Sequence, residues 1–110
     1  MVNYIATSNL DLIFGSLADP TRRDIISRLT SNNLTVSQIA IDYDISLPAI
    51  SKHLKVLQKA SLIIKRRKGK EQMISLAPQA LADAAQYLDW YRQFTDARYD
   101  SLENYLNKEV

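Results

Sequence analysis

The chain has 110 residues, 46% of them hydrophobic, with two glycines, three prolines, no cysteine and a formal net charge of +2. That suffices for one globular domain with a modest core and is too poor in glycine and proline for a disordered or fibrous polypeptide. A disulfide framework and thiolate metal ligands are excluded. No apolar run is long enough to span a bilayer and MVNYIATSNL lacks the basic and apolar blocks of a signal peptide, so the expectation is a cytoplasmic protein with no membrane association. The small net charge conceals an asymmetry. From Lys52 to Lys70 there are eight Lys or Arg and no Asp or Glu, whereas the rest of the chain holds six basic and twelve acidic residues. A cationic patch on an acidic body is the footprint of a phosphate-binding surface.

Leu10, Ile13, Phe14 and Leu17 recur at helical spacing and predict a first helix from about Asn9 to Ala18. Asp19 is a suitable N-cap and Pro20 a suitable first helical residue, so a second helix runs to about Thr30 and buries Ile25, Ile26 and Leu29. Thr35 and Gln38 form a capping box for a third helix of about two turns, with Val36, Ile39 and Ala40 inside. Tyr43 to Ser46 is a tight turn into the next helix, and two short helices joined this way make a helix-turn-helix unit.

The fourth helix, within ISLPAISKHLKVLQKA, has two incompatible faces. Leu47, Ile50, Leu54 and Leu57 fall on a stripe predicted to be buried, while Pro48, Ser51, Lys52, Lys55 and Lys59 gather opposite. Ser46 caps its start, and small residues in the first turn let that end enter a groove with lysines near phosphates on its walls. The plainer alternative is an amphipathic helix with a solvated lysine face. His53 lies between the two faces, where it could donate to a phosphate or a backbone carbonyl. As a lone imidazole it has no partner ligands for a metal and none for catalysis.

In SLIIKRRKGKEQMISL the period changes to that of two strands about Lys68-Gly69-Lys70, a hairpin whose tip carries Arg66, Arg67, Lys68 and Lys70. These either reach phosphate beside the helix or keep an exposed hairpin soluble. From Pro78 to about Leu106 the chain reads as one long helix. Leu81, Ala84, Leu88, Tyr91, Thr95, Leu102 and Tyr105 form one stripe, which Tyr87, Trp90 and Phe94 widen beyond what one helix contact needs, so the helix is expected to pack on its own domain and on another chain.

The order of elements, with LADPTRRDIISRL, LTVSQIA, SLPAISKHLKVLQKASLI and RRKGK, resembles the ArsR family of winged helix-turn-helix transcriptional regulators over nearly the whole chain. The resemblance implies a mostly α fold with five helices and a two-stranded wing, and a homodimer built from the first and last helices. It also implies repression, with a recognition helix in each of two major grooves. The interface it implies draws on Leu10, Ile13, Phe14, Leu88, Tyr91, Thr95, Leu102 and Tyr105. Metal-sensing members use cysteines or last-helix histidines; neither is present, and the aromatic-rich last helix is similar to a non-metal branch. Asp44 stands where the family commonly has glycine, in a turn needing left-handed backbone.

The resulting expectation is a single domain over residues 1–110, with a winged-helix core at 8–76 and a dimerisation helix at 77–107. It would bind an inverted repeat in double-stranded DNA, with Pro48, Ala49, Ser51 and Lys52 facing base edges and Lys52, Lys55, Lys59, Arg66, Arg67, Lys68 and Lys70 on phosphates. No glycine-rich phosphate loop, activated nucleophile or paired carboxylates point to an enzyme, and no cofactor is implied. Two rivals stay open: a winged-helix module that docks an acidic protein, and a repressor released by a small molecule bound near Tyr87, Trp90, Tyr91 and Phe94. Nothing selects an effector.

Overall fold

The computed structural model describes residues 4–108, so residues 1–3 and 109–110 of the predicted domain lie outside the described residues. Five helices and three strands follow in the order α1 (Tyr4–Ser16), α2 (Pro20–Leu29), β1 (Leu34–Thr35), α3 (Val36–Tyr43), α4 (Leu47–Lys59), β2 (Ile63–Lys68), β3 (Glu71–Leu76) and α5 (Pro78–Lys108). α1 begins at Tyr4 rather than near Asn9, because the apolar stripe marks only the part facing the core and nothing in YIATS breaks a helix. It ends at Ser16 rather than Ala18. There the amide of Ala18 bonds back to the Gly15 carbonyl at 3.3 Å, a three-residue step that tightens the last turn.

The helix starts are set locally. Asp19 Oδ2 accepts from the Arg22 amide at 3.0 Å, with Pro20 as the first helical residue. In the capping box, Thr35 Oγ1 accepts from the Gln38 amide at 3.1 Å while the Thr35 amide donates to Gln38 Oε1 at 2.9 Å. Ser46 Oγ accepts from the Ala49 amide at 3.3 Å. Each bond satisfies a donor that the helix itself leaves orphaned. α4 stops in a Schellman arrangement: the Leu62 amide donates to the Leu57 carbonyl and the Ser61 amide to the Gln58 carbonyl, both at 3.0 Å, with Ser61 at φ 60°.

Every element contributes to one core. Ile13, Ile25, Ile39, Leu54 and Ile74, from α1, α2, α3, α4 and β3, are all fully buried. The sheet is antiparallel with strand order β1-β3-β2. Two strands form the predicted wing; the third, β1, was not foreseen, and it ties the segment before α3 to the hairpin by pairing Leu34 with Ile74 and Thr35 with Met73. The hairpin closes through Gly69 at φ 64°, where left-handed backbone suits glycine.

α5 joins the core through the buried small residues Ala80 and Ala84, and Tyr87 meets Phe14 of α1 with ring centroids 5.9 Å apart. Beyond Ala84 every described side chain of α5 is exposed. A 31-residue helix is about 46 Å long at the usual rise, and it stretches the molecule to 65 Å in its longest dimension.

Candidate nucleic-acid interface

α4 places Pro48, Ser51, Lys52, Lys55 and Lys59 in solvent, with Ala49 half-buried, while Ile50, Leu54 and Leu57 are sealed in the core. None of the three lysines makes an ion pair among the described residues. Leu47 departs from the predicted buried stripe: it is 56% exposed. Helical side chains lean toward the N-terminus, so a residue in the first turn reaches past the helix start, and there the core has ended. Leu47 instead lines a cleft of about 330 Å³ with Ser51 and Leu54 on one wall and Lys65, Lys70, Glu71 and Gln72 of the wing on the other. The cleft brings the cationic helix and the wing to a common border.

Strand alternation splits the wing. Lys65 and Arg67 share a face of the hairpin with buried Ile63 and Ile74, while Arg66 and Lys68 stand on the opposite face. Lys68 pairs in register with Glu71, so an acidic residue sits directly across from one of the predicted phosphate contacts. Arg67 folds back, its Nε donating to the Gly69 carbonyl at 3.3 Å. Lys65, counted in the charged run but not singled out, is half-buried in the cleft wall; its place two residues after Ile63 on the inward-facing register was the available signal.

The two arginines of the ADPTRR segment tie α2 to the end of α1, and Arg22 also reaches α4, a role the sequence reading missed. Arg22 Nε donates to the Ser16 carbonyl at 2.6 Å and Arg23 Nη1 to the Leu17 carbonyl at 2.9 Å, both at the C-terminal end of α1, where cations are favoured. Arg22 Nη1 also lies 3.3 Å from His53 Nδ1 on α4. A guanidinium can only donate, so Nδ1 is the acceptor and the ring carries its proton on Nε2. His53 therefore faces α2 through Nδ1 rather than a backbone carbonyl. Asp19 completes the cluster, its carboxyl held below the usual carboxylate range first by the bond from the Arg22 amide and also by the charge of the Arg22 guanidinium. On the other side of the unit, Tyr43 donates to Asp24, Arg28 pairs with Asp42, and the Arg28 guanidinium lies 5.4 Å from the centre of the Tyr43 ring. Burial pushes the Tyr43 hydroxyl pKa up, with the Asp24 bond acting the same way.

A second surface runs along α1 and α5. Leu88, Tyr91, Leu102 and Tyr105 are about half exposed, beside Trp90 and Phe94. Thr95 is exposed too, and its hydroxyl donates to the Tyr91 carbonyl at 3.2 Å. Phe14 adds to this surface and Leu10 is half-buried, whereas Ile13 is committed wholly to the chain's own core. The opposite face of α5 is polar, with Arg92 bridging Asp89 and Asp96 at 3.8 and 3.6 Å.

The profile described as "Bacterial regulatory protein, arsR family" matches residues 19–65, from the α2 cap through the first residues of the wing. Over 87 residues the chain is 41% identical to the HTH-type transcriptional regulator Rv2034 of Mycobacterium tuberculosis, covering 77% of this chain and 81% of that protein. This chain belongs to the ArsR family. A second relative, the transcriptional repressor SdpR of Bacillus subtilis, is 37% identical across 74% of this chain and 88% of its own length. The crystal structure of the ArsR family transcriptional regulator RHA00566 superposes with a TM-score of 0.77 at 28% identity, over 87% of this chain and 97% of that one. The family consists of transcriptional regulators, and the winged helix-turn-helix described above is its DNA-binding fold. No helix among the described residues is long and apolar enough to cross a membrane.

Proposed function

We propose that this ArsR-family protein is a homodimeric repressor that binds an inverted repeat in double-stranded DNA and acts in the cytoplasm, where it meets the chromosome. The observation that carries this reading is the exposed cationic face of α4, free of acidic residues and bordering the basic hairpin across one cleft. Pro48, Ala49, Ser51 and Lys52 take the base edges, and Lys55, Lys59, Arg66, Arg67, Lys68 and Lys70, with Lys52, take phosphates. Residues 8–76 serve as the DNA-binding core and 77–107 as the dimerisation helix. The uncovered apolar face of α5 supports the dimer, since exposed aromatic surface of this extent favours a partner and a two-fold dimer closes it without leaving a free copy. Repression follows the name of the similar SdpR.

Two recognition helices about a two-fold axis require half-site centres about one helical turn, roughly 34 Å, apart. Footprinting on the DNA upstream of the protein's own gene tests this directly. Two protected patches one turn apart are expected, and protection without symmetry, or none on any duplex, overturns the reading. A lone acidic-protein docking module would give no duplex preference at all.

A second reading adds an effector. A cleft of about 380 Å³ on α5 is lined by Trp90, Tyr91 and Phe94 with Thr95 and Arg98 at its polar side, a mixture suited to a small organic molecule, while Tyr87 lines a separate cavity of about 420 Å³ against α1. Trp90 fluorescence titrated with candidate compounds distinguishes this from simple repression.

A further inference from the structure

We infer that Leu47 is a specificity-determining residue that reads the 5-methyl group of a thymine in each half-site. The inference rests on the DNA-binding reading above and adds a base identity to it. Leu47 is the largest exposed apolar side chain in the first turn of α4, the end of a recognition helix that enters a major groove. It does not close the core, because Ile50, Leu54 and Leu57 do that completely. Its neighbours in the cleft are mixed: Val36 and Leu54 at its base, Ser51 one turn on, and Lys65, Lys70 and Glu71 across the gap, and they leave more than half of it in solvent. In the first turn of a helix that enters a groove, an exposed leucine is placed to cover an apolar group of the base edges.

The edges of the four base pairs offer one strongly apolar feature in the major groove, the thymine methyl. Apart from small C–H edges such as that of cytosine C5, the other groups there are hydrogen-bond donors or acceptors. A leucine laid against one strips its water and returns no bond, which is unfavourable. Leu47 thus selects thymine twice over, by covering a methyl and by leaving the other bases unsatisfied. Removing one such methyl forfeits about a four-fold affinity advantage, and both half-sites together about fifteen-fold.

The experiment selects duplexes from a random-sequence pool with the full-length protein, then replaces each thymine of the selected site singly by uracil, which lacks only the methyl. Wild-type protein is expected to lose about four-fold at one position per half-site, and Leu47→Ala to bind the thymine and uracil duplexes equally there. Leu47→Gln, which keeps length and gains a hydrogen-bonding end, should move the preference at that position toward adenine. Ile41→Ala, at an exposed apolar residue of α3 away from the cleft, should leave the thymine preference unchanged. An identical response to uracil in wild type and Leu47→Ala, or no response at any position, overturns the inference and leaves DNA binding intact. Failure to enrich any duplex overturns both.

Discussion

Arg22 Nη1 stands 3.3 Å from His53 Nδ1, and the same guanidinium donates through Nε to the Ser16 carbonyl at 2.6 Å. One side chain therefore spans the end of α1 and the middle of the recognition helix. His53→Ala removes its acceptor on α4 while leaving the α1 bonds in place. The expected loss is about 1 kcal/mol of folding stability, typical for one partly buried hydrogen bond, with weaker DNA binding because α4 is less firmly set. Urea unfolding and a gel-shift titration of the same variant check both halves. Full affinity in a destabilised variant would show that the contact holds the fold without setting the helix.

Asp19 gives the acid side of the same cluster. Its folded pKa lies below the ordinary 3.8, first through the Arg22 amide, so the stability it contributes is present above about pH 3.8 and is lost as pH falls through the folded value. Asp19→Asn keeps a good N-cap but cannot titrate. Between pH 5 and pH 2.5 the melting temperature of the wild type should fall more steeply than that of Asp19→Asn. Parallel curves would remove Asp19 from the acid response.

Two turns flank α4 in left-handed backbone without glycine: Asp44 at φ 50° before it and Ser61 at φ 60° after it. Serine gains nothing from that conformation, whereas the short carboxylate of Asp44 tolerates it better. Ser61→Gly is therefore expected to stabilise the protein by up to about 1 kcal/mol and Asp44→Gly by less. Thermal melts of the two variants rank them. An unchanged or lower melting temperature for Ser61→Gly would mean that glycine's extra unfolded-state freedom outweighs the relieved strain.

That pair shows what could be read from the residues and what could not. The caps at Asp19, Thr35 with Gln38, and Ser46 were legible because each is a bond between neighbours in sequence. So were the buried Ile25, Ile26 and Leu29, set by a period, and the strain at Asp44, set by a turn too short for another solution. β1 was not, since two residues become a strand only when Ile74 and Met73 arrive from forty positions away. Leu47 was misplaced for a related reason. Periodicity assigns a side of the helix but not where the core stops along its axis. The arginines of ADPTRR had no legible role, because their acceptors are carbonyls at the end of α1 and a histidine on α4 that only the folded chain brings beside them.

The split wing yields a ranking among its cations. Lys68 faces Glu71 across the hairpin, so part of its field is cancelled, while Arg67 stands on the same face as Lys65 beside the recognition helix. With about eight of the fourteen lysines and arginines assigned to phosphates across the dimer each neutralising one, log affinity falls against log salt with a slope near −7. Arg67→Gln should flatten that slope by about two, one contact per protomer. Lys68→Gln should change it less. Measuring affinity at four or five salt concentrations separates them, and a larger effect at Lys68 would place the phosphates on the outer face of the hairpin.

The dimer can be tested by the same slope. Leu102 is 53% exposed on the apolar face of α5, more than four turns beyond Ala84, the last residue of that helix in the core. Leu102→Asp therefore leaves the protomer's own packing untouched and places a charge where a second copy would have to bury it, an unfavourable exchange. Analytical ultracentrifugation should find the variant as a monomer. On DNA it should lose the second half-site, weakening binding by about 10²-fold or more and roughly halving the salt slope, because two linked contacts gain from their mutual tether and one contact does not. Asp96→Asn, on the polar face that pairs with Arg92, carries a charge change on the same helix and should alter neither. A Leu102→Asp variant that remains dimeric with its slope intact would move the interface away from the distal half of α5, toward Phe14 and Tyr87, whose rings already meet where α1 crosses the helix.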